Sequence, residues 1–514
     1  MTQQHVREIA KNASVVGGAT LLSRVLGFFR DVLLASVLGA GPMADAFYVA
    51  FRLPNTLRRL FAEGSMTMAF VPVFSDLREK HGDEAAFAMT RAAFVWLVLI
   101  LGVVTVLAFF FARPLTLAIA PGFARNASQL DLTVRLVRIC FPYIIQISIV
   151  ALCMGALNSM GHFLAPALAT SELNVFLIAG AALAWFFGLD VPTTLSWSVL
   201  AGGMGQIYMQ LPALRRYGFR WRGSWTLFDD GIKRMARLML PTVFGSAIYQ
   251  INILVGTLLA SLLAKGSISV LYYADRLVQF PLGVFGVAVG TVALPNLAKL
   301  AASKDIPGFK STLSASLRLT LFICLPATAG LAALATPIVQ TLFGRGAFTP
   351  EAVHGTVTAL LAYCAGLPAF ACVRPLVSAF YALHDTRTPV RAGFYSMLAN
   401  MALGVALMFP LKHTGLALAT SLSSWLNVWL LAHGLHKKTG AWFDGGRTTL
   451  LSVGLSLLIG LAAWFIPAQR HLALALIVVW AALYMALAMA FKVEEASLLL
   501  EFIRRRLKRS SKKA

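Results

Sequence analysis

Residues 23–63 read SRVLGFFRDVLLASVLGAGPMADAFYVAFRLPNTLRRLFAE, a stretch that is apolar enough to form two membrane helices. It also carries eight charged residues, which are Arg24, Arg30, Asp31, Asp45, Arg52, Arg58, Arg59 and Glu63. Each charge placed in hydrocarbon costs roughly 2.5–3.5 kcal/mol on insertion scales, so a helix that faces lipid would not keep this many. These side chains are therefore expected to face an internal cavity that water can reach.

The rest of the chain has the composition of a membrane protein. Of its 514 residues, 58% are hydrophobic and 13% are charged, and the mean hydropathy is +0.76. Runs of about 20 apolar residues, the length that crosses a bilayer, recur along the chain. A soluble domain of this size has too little interior to bury so many apolar helices. We predict an all-α polytopic membrane protein.

Apolar runs between turn signals predict fourteen transmembrane helices. They lie near residues 14–38, 43–73, 86–112, 133–159, 163–186, 194–214, 238–263, 268–297, 314–337, 353–383, 388–409, 415–435, 448–466 and 472–491. The N-terminal segment, every second loop and the tail hold 27 Lys and Arg residues, whereas the opposite loops hold 6. The positive-inside rule therefore predicts that both termini are cytoplasmic. The same segments explain the net charge of +23 without nucleic-acid binding.

Motifs of catalysis and of cofactor binding are missing from the sequence. It contains no Gly-Lys dipeptide, which excludes a P-loop, and no His-Glu-x-x-His motif or close cysteine pair that would suggest a metal. The five cysteines fall within predicted spans and are expected to be buried thiols. These observations favour a transporter and predict no enzymatic activity, cofactor or metal.

The two halves of the chain resemble each other. The segment from Tyr48 through Arg52 to Pro72 has a counterpart from Tyr272 through Arg276 to Pro295, with Arg-to-Pro separations of 20 and 19 residues. A second pair of segments, residues 158–166 and 381–389, keeps the same order. Six spans per half make the repeat parallel, about a pseudo-two-fold axis along the membrane normal, a plan that places the site between the halves. Chance similarity among apolar helices is the alternative.

This repeat predicts the domain organisation. It consists of an N-terminal lobe at 1–214, a basic cytoplasmic linker at 215–237, a C-terminal lobe at 238–435, an additional helix pair at 436–491 and a basic cytoplasmic tail at 492–514.

Arginines outnumber carboxylates within the predicted spans. The first two spans hold five arginines against three carboxylates, and Arg276 and Arg374 add to the surplus. The planar guanidinium group suits a phosphate or diphosphate better than the ammonium group of lysine does, and the spans contain no lysine. Salt bridges that fix helix packing, such as Arg59 with Glu63, are the alternative for some pairs. Four arginines near helix ends are expected to reach the headgroups by snorkelling, and these are Arg91, Arg135, Arg138 and Arg318.

Other polar residues in the spans leave two interpretations open. Glu172, close to Asn174, is a lone acid that either binds a coupling ion or pairs with an arginine. Gln250, Asn252 and Asn400 either line a cation site or form hydrogen bonds between helices.

The motifs at residues 23–31, 44–65, 69–74, 272–295 and 381–389 resemble those of the MurJ (MviN) lipid II flippases. This family belongs to the multidrug/oligosaccharidyl-lipid/polysaccharide exporter superfamily. The resemblance implies fourteen transmembrane helices in two six-helix lobes plus a C-terminal pair. It also implies that the chain moves lipid II, an undecaprenyl-diphosphate-linked glycopeptide, from the inner to the outer leaflet of the bacterial cytoplasmic membrane by alternating access.

The resemblance also implies roles for particular residues. The functional arginines of the family fall here on Arg24, Arg30, Arg58 and Arg276, and the acid falls on Asp45. Arg52, Arg59, Asp31, Glu63 and Arg374 complete the predicted substrate-binding residues. The last two helices would form a groove for the polyprenyl tail. Some relatives bind sodium in the second lobe through aspartates, which this chain lacks among its candidates, so the coupling ion, sodium or proton, is left open. We expect a monomer.

Three other functions are compatible with a polytopic membrane protein. A flippase for another polyprenyl-diphosphate glycan would share the diphosphate and is the main alternative. A multidrug or organic-cation antiporter should present carboxylates to its cation, whereas these spans present mostly arginine. A scaffold that does not transport would have no reason to bear the cost of arginines inside the membrane.

Overall fold

The computed structural model describes residues 3–59, 66–223, 227–465 and 473–501. All long elements in these ranges are helices, which confirms the prediction of an all-α protein. Their bounds are α1 Gln3–Leu38, α2 Pro42–Arg58, α3 Thr67–Phe110, α4 Ala112–Ile119, α5 Ala127–Cys140, α6 Tyr143–Ser159, α7 Leu164–Phe187, α8 Val191–Arg216, α9 Asp230–Ser261, α10 Ser267–Ala302, α11 Ile306–Ala333, α12 Ala335–Leu342, α13 Pro350–Cys364, α14 Leu367–Ala382, α15 Arg387–Thr439, α16 Gly446–Phe465 and α17 Ala473–Ala490.

Among the described helices, six are long and apolar enough to cross a membrane, or eight if each of two bent helix pairs counts as one span. Helices α1, α2 and α10 are not among the six. The count of fourteen spans stays a prediction.

The segment between the second and third predicted spans contains a reversal of the chain. Helix α3 consists of two helices that meet at Gly82 (φ 83°, ψ 176°), within the polar segment that begins at Ser75. Phe74 and Phe87 lie on opposite sides of this break, and their ring centroids are only 6.2 Å apart, whereas 13 residues of continuous helix would span about 20 Å. The two helices therefore pack side by side, and the predicted connection between them is a short break at Gly82.

The helices divide into two compact units. The first comprises residues 1–269 with 346–348, and the second comprises 270–345 with 349–514. In the first unit α7 packs against α8 and α1, and α3 packs against α6 and α9. Its core contains Phe70, Phe74 and Phe87. The predicted lobe boundaries rest on the internal repeat and stay a prediction.

The second unit is built around α11. This helix packs against α16 and α14, and α14 packs against α15. Phe309, Leu313 and Phe380 belong to one core cluster, while Phe322, Leu455 and Tyr484 belong to another that includes the C-terminal helices. All five cysteines of the chain are buried free thiols, as predicted.

Arg91 does not reach the headgroups by snorkelling, contrary to the prediction. Its side chain is fully buried, with Nη2 2.5 Å from Glu84 Oε1 and with Nη1 donating to the carbonyl of Arg220 at 3.0 Å. A Cβ on Gly223 would lie 2.6 Å from the guanidinium group, so the segment after α8 folds directly over it. The burial of Arg91 therefore depends on contacts between residues about 130 positions apart, which a helix-end argument does not consider.

Asp385 holds the start of α15. Its Oδ1 accepts hydrogen bonds from the backbone N–H groups of Arg387 and Thr388, both at 3.0 Å. Its Oδ2 accepts from the Thr388 hydroxyl and lies 2.6 Å from Lys438 Nζ. Lys438 is near the other end of α15, but α15 is two helices that meet at Lys412 (φ 52°, ψ −133°), so its two ends lie close together. Burial would raise the pKa of Asp385, but Lys438 and Thr388 together lower this pKa well below its usual range.

We expect Asp385→Asn to lower the melting temperature of the purified protein at neutral pH. Because the pKa is lower in the folded state, the stabilisation is present above about pH 4, the ordinary pKa of Asp, and is lost as the pH falls through the folded value. The difference in Tm between the wild type and the variant should therefore narrow below about pH 4. Lys438→Met should lower the melting temperature less than Asp385→Asn does, because it leaves the hydrogen bonds from Asp385 to the start of α15 intact. A difference that is constant with pH would contradict this account.

Candidate substrate-binding site

Arg30 links α1 to α7. Its Nε and Nη2 donate to Asp31 Oδ1 at 3.0 and 2.7 Å, and its Nη1 donates to Asn174 Oδ1 at 2.8 Å. Asn174 returns a hydrogen bond from Nδ2 to the carbonyl of Ser23 at 3.1 Å. Asp31 is buried, so the ion pair lies inside the packed unit. The guanidinium group is therefore fixed in one orientation by a carboxylate and an amide.

Arg52 on α2 contacts α9. Its Nη1 donates to the hydroxyl of Thr257, which is buried and in turn donates to the carbonyl of Ile253 at 2.8 Å. The hydroxyl group is neutral, so this contact orients the guanidinium group without neutralising it.

Asp45 is enclosed by backbone and side-chain donors. It is 2% exposed, and its Oδ2 accepts from the N–H of Gly266 at 2.6 Å. Its Oδ1 accepts from the N–H and the hydroxyl of Ser269, both at 2.8 Å. Gly266 has φ +89°, and a Cβ there would lie 2.9 Å from the carbonyl oxygen of Ala40. The tight turn between α1 and α2 thus packs against the turn before α10, with Asp45 as the acceptor at its centre.

Arg276 belongs to the second unit and lies on α10. Its guanidinium carbon is 4.7 Å from the centroid of the Tyr272 ring, and its Nη2 donates to the Tyr272 hydroxyl at 3.1 Å. Its Nη1 lies 3.5 Å from Gln279 Oε1. The tyrosine is one helical turn earlier, so it supports the arginine from the same face of the helix.

The remaining predicted residues are placed as follows. Arg24 is exposed on α1, Arg58 and Arg59 are partly buried at the end of α2, and Arg374 is exposed on α14. Glu63 lies outside the described residues, and with it the predicted pair Arg59–Glu63. The neighbouring acid Asp275 contacts Gln279, one turn further along α10.

The candidates for a cation site do not form a cluster of metal ligands. Within the described ranges, no group of three or more His, Cys, Asp or Glu residues could hold a metal ion. Gln250 is buried on α9 in the first unit, with Asn252 partly buried on the same helix. Asn400 belongs to the second unit. A cation site and hydrogen bonds between helices both stay predictions for these three residues.

Several partners of the arginines were not anticipated from the sequence. Thr257 and Tyr272 carry no signal as isolated residues, and Ser269 reads as part of a turn. Asn174 stands out in the sequence only because it is close to Glu172. Each of these contacts depends on which helices pack together. For example, Asn174 can accept a hydrogen bond from Arg30 only because α7 packs against α1.

Comparison with known families gives one match over most of the chain. The model of the family described as "Lipid II flippase MurJ" matches residues 34–509. A protein of Rhizobium tropici named "Probable lipid II flippase MurJ" is 39% identical over 464 residues, which cover 89% of this chain and 87% of the relative. A protein of Vibrio cholerae with the same name is 38% identical over 440 residues, covering 84% and 83%.

Among solved structures, a lipid II flippase MurJ is also similar to this chain. A structure described as "Lipid II flippase MurJ, inward closed conformation" has a TM-score of 0.80 and 28% sequence identity, and the match covers 93% of this chain and 98% of that one. An inward-facing multidrug resistance MATE family transporter of the MOP superfamily has a TM-score of 0.69 at 11% identity, covering 84% and 100%. At that identity the second likeness concerns the fold alone.

Proposed function

Because this chain belongs to the MurJ family of lipid II flippases, as the match over residues 34–509 shows, we propose that it moves lipid II from the inner to the outer leaflet by alternating access. The protein is a multi-pass inner-membrane transporter and a lipid II flippase, like its relatives by name. The direction of transport, the cytoplasmic location of both termini and the monomeric state are parts of the proposal. The extent of the family match is the observation that carries it.

The diphosphate of lipid II is the group that the arginines would bind. A guanidinium group can donate two parallel hydrogen bonds to a pair of phosphate oxygens, with geometric specificity that an ammonium group lacks. Arg30 is oriented by Asp31 and Asn174, and Arg276 is oriented by Tyr272. Such support keeps each fork in place before the substrate arrives, which reduces the ordering cost of binding. We assign Arg24, Arg30, Arg58 and Arg276 to the headgroup, with Arg52, Arg59 and Arg374 as further candidates.

Asp45 has a different part in this proposal. Both of its oxygens already accept hydrogen bonds from Gly266 and Ser269, so its carboxylate is occupied by the protein. An anionic diphosphate would also be repelled by it. We therefore propose that Asp45 positions the start of α10 and does not bind the substrate.

Two alternatives share the fold. A flippase for another polyprenyl-diphosphate glycan would use the same arginines, because the diphosphate is common to both substrates. A multidrug antiporter is favoured only by the likeness to a MATE transporter at 11% identity, which concerns the fold. The surplus of arginine in the predicted spans also disfavours an organic cation as substrate.

Transport by the purified protein in liposomes tests the proposal. The initial rate of movement between leaflets would be measured for fluorescent lipid II and for a fluorescent undecaprenyl-diphosphate that carries a single sugar, with a membrane-impermeant quencher as the readout. We expect faster movement of lipid II, and a return to the protein-free rate for a variant in which Arg30 and Arg276 are both alanine. Equal rates for the two substrates would favour the broader glycan flippase. Protein-free rates for both would contradict the flippase.

A further inference from the structure

Glu172 lies on the outward face of α7. The exposed side of this helix is formed by Val175, Ala179, Leu183 and Phe186, which follow Glu172 at helical spacing. Val175 and Leu183 are each 50% exposed. Every other member of this row is apolar, as expected for a surface that faces lipid. Glu172 is the one ionisable side chain in the row.

The neighbouring helix continues the same apolar surface. On α8 the exposed row contains Trp197, Met204 and Tyr208. Gly205 lies at the edge of this row and faces α7, since a Cβ there would lie 2.5 Å from the ring of Phe176 and 3.3 Å from Glu172 Oε2. The absence of a side chain at Gly205 leaves a notch that receives the carboxyl group. The carboxyl group and the Phe176 ring therefore both lie against Gly205.

The buried oxygen of this carboxyl accepts no hydrogen bond from the described residues. Glu172 Oε2 is buried without a partner. Gln206, the residue after Gly205 on α8, has its hydrogen bonds elsewhere. Its Nε2 donates to the carbonyl of Ala169 at 2.7 Å, and its Oε1 accepts from the Tyr143 hydroxyl at 3.3 Å. If the carboxyl group were ionised, its buried oxygen would lose its hydration without gaining a hydrogen bond, so the full cost of desolvation would remain.

Charged groups on the helices packed against α7 are directed elsewhere. From α1, Arg30 and Asp31 meet α7 at Asn174, which is roughly 200° around the helix from Glu172. Arg24 on α1 is exposed. From α6 the titratable neighbour is Tyr143, which bonds Gln206. Helix α8 carries no charged residue before Arg215. Within the described ranges, Glu172 forms no salt bridge, and its buried oxygen accepts no hydrogen bond.

Glu172 is also too deep to reach the headgroups. It is eight residues after the start of α7 at Leu164, which corresponds to about 12 Å along the helix axis. A glutamate side chain is too short to cross this distance by snorkelling, unlike the long side chains of lysine and arginine.

We propose that Glu172 is a proton-binding site on the lipid-facing surface of α7 and α8, where the carboxyl group holds a proton at neutral pH. The neutral acid removes the cost of placing a charge against lipid, and the notch at Gly205 shelters one of its oxygens. A proton is favoured over a metal cation because Oε2 is buried at the notch and accepts no hydrogen bond from the described residues, whereas hard cations need several oxygen ligands. The site is independent of the diphosphate-binding arginines.

Dicyclohexylcarbodiimide tests this proposal directly. This apolar reagent enters bilayers, and the O–H of a neutral carboxylic acid adds across one of its C=N bonds, after which the acyl group moves to nitrogen with no leaving group. We expect the wild-type protein in lipid nanodiscs to gain one reagent mass on the peptide that contains Glu172. Above the midpoint of titration the labelling rate should fall by about tenfold per pH unit, since only the protonated form reacts.

Matched controls make the result specific. Glu172→Gln, which is neutral and of the same shape, should lose the label and keep the melting temperature of the wild type. A water-soluble carbodiimide should label the exposed Glu351 in preference to Glu172. Labelling should be the same in sodium and in choline at equal ionic strength. The proposal is overturned if Glu172 resists the apolar reagent, if the water-soluble reagent labels it as fast as Glu351, or if sodium protects it.

Discussion

Arg276→Ala is expected to abolish lipid II translocation while the protein still reaches the membrane in normal amount. The guanidinium group lies over the ring of Tyr272 and bonds its hydroxyl, so its position is set by a residue on the same helix. Hydrogen bonds to charged groups contribute roughly 1.5–3 kcal/mol, which equals about a 10- to 150-fold loss of affinity when they are removed. The measurements are growth of cells that depend on the variant and the rate of transport in liposomes.

Two matched variants separate binding from packing at this position. Arg276→Lys keeps the charge without the planar fork and should retain partial transport. Tyr272→Phe keeps the ring and removes the hydroxyl, so it should reduce transport only slightly. Arg24→Ala and Arg30→Ala are expected to fail as Arg276→Ala does. Normal growth of all three alanine variants would overturn the assignment of the arginines to the substrate.

Asp45→Ala is expected to destabilise the first unit more than any other single change proposed for it. The substitution leaves the N–H groups of Gly266 and Ser269 without their acceptor in a buried setting. Each unsatisfied buried group costs about 1–3 kcal/mol. The melting temperature of the purified protein in detergent should fall accordingly, and transport should fall with it.

The contrast with Ser269→Ala identifies the cause. That variant removes one hydroxyl donor and leaves both N–H groups bonded to Asp45, so it should cost only about 1 kcal/mol. Asp45→Asn should be intermediate, because an amide oxygen still accepts while its NH₂ group meets a donor. If Asp45→Ala kept the wild-type melting temperature and lost transport, Asp45 would act on the substrate and not on the start of α10.

Helical structure was largely predictable because a bilayer imposes long apolar runs. The connection after the second span was also predictable, because the chain reverses at Gly82 within the polar segment that begins at Ser75. Arg91 was not predictable in this way. A position near a helix end predicts contact with the headgroups, but the segment that follows α8 covers this side chain. Position along a helix alone does not distinguish a covered charge from one that reaches the headgroups.

The candidate site shows the same division. The arginine surplus of residues 23–63 and its likeness to the MurJ family could be read from residue order, because charges in apolar runs are conspicuous against the cost of burial. The orientation of each guanidinium group could not. Asn174 is 144 residues from Arg30, and Thr257 is 205 residues from Arg52.

The class of protein, the helical segments and the unusual cationic stretch all follow from hydropathy and charge along the chain. The enclosure of Asp45 by Gly266 and Ser269 does not, and neither does the position of Glu172 against Gly205 on an apolar face, because both depend on how the helices pack. Hydropathy is a property of each residue, whereas hydrogen bonding and burial belong to pairs of residues that become neighbours only when helices pack.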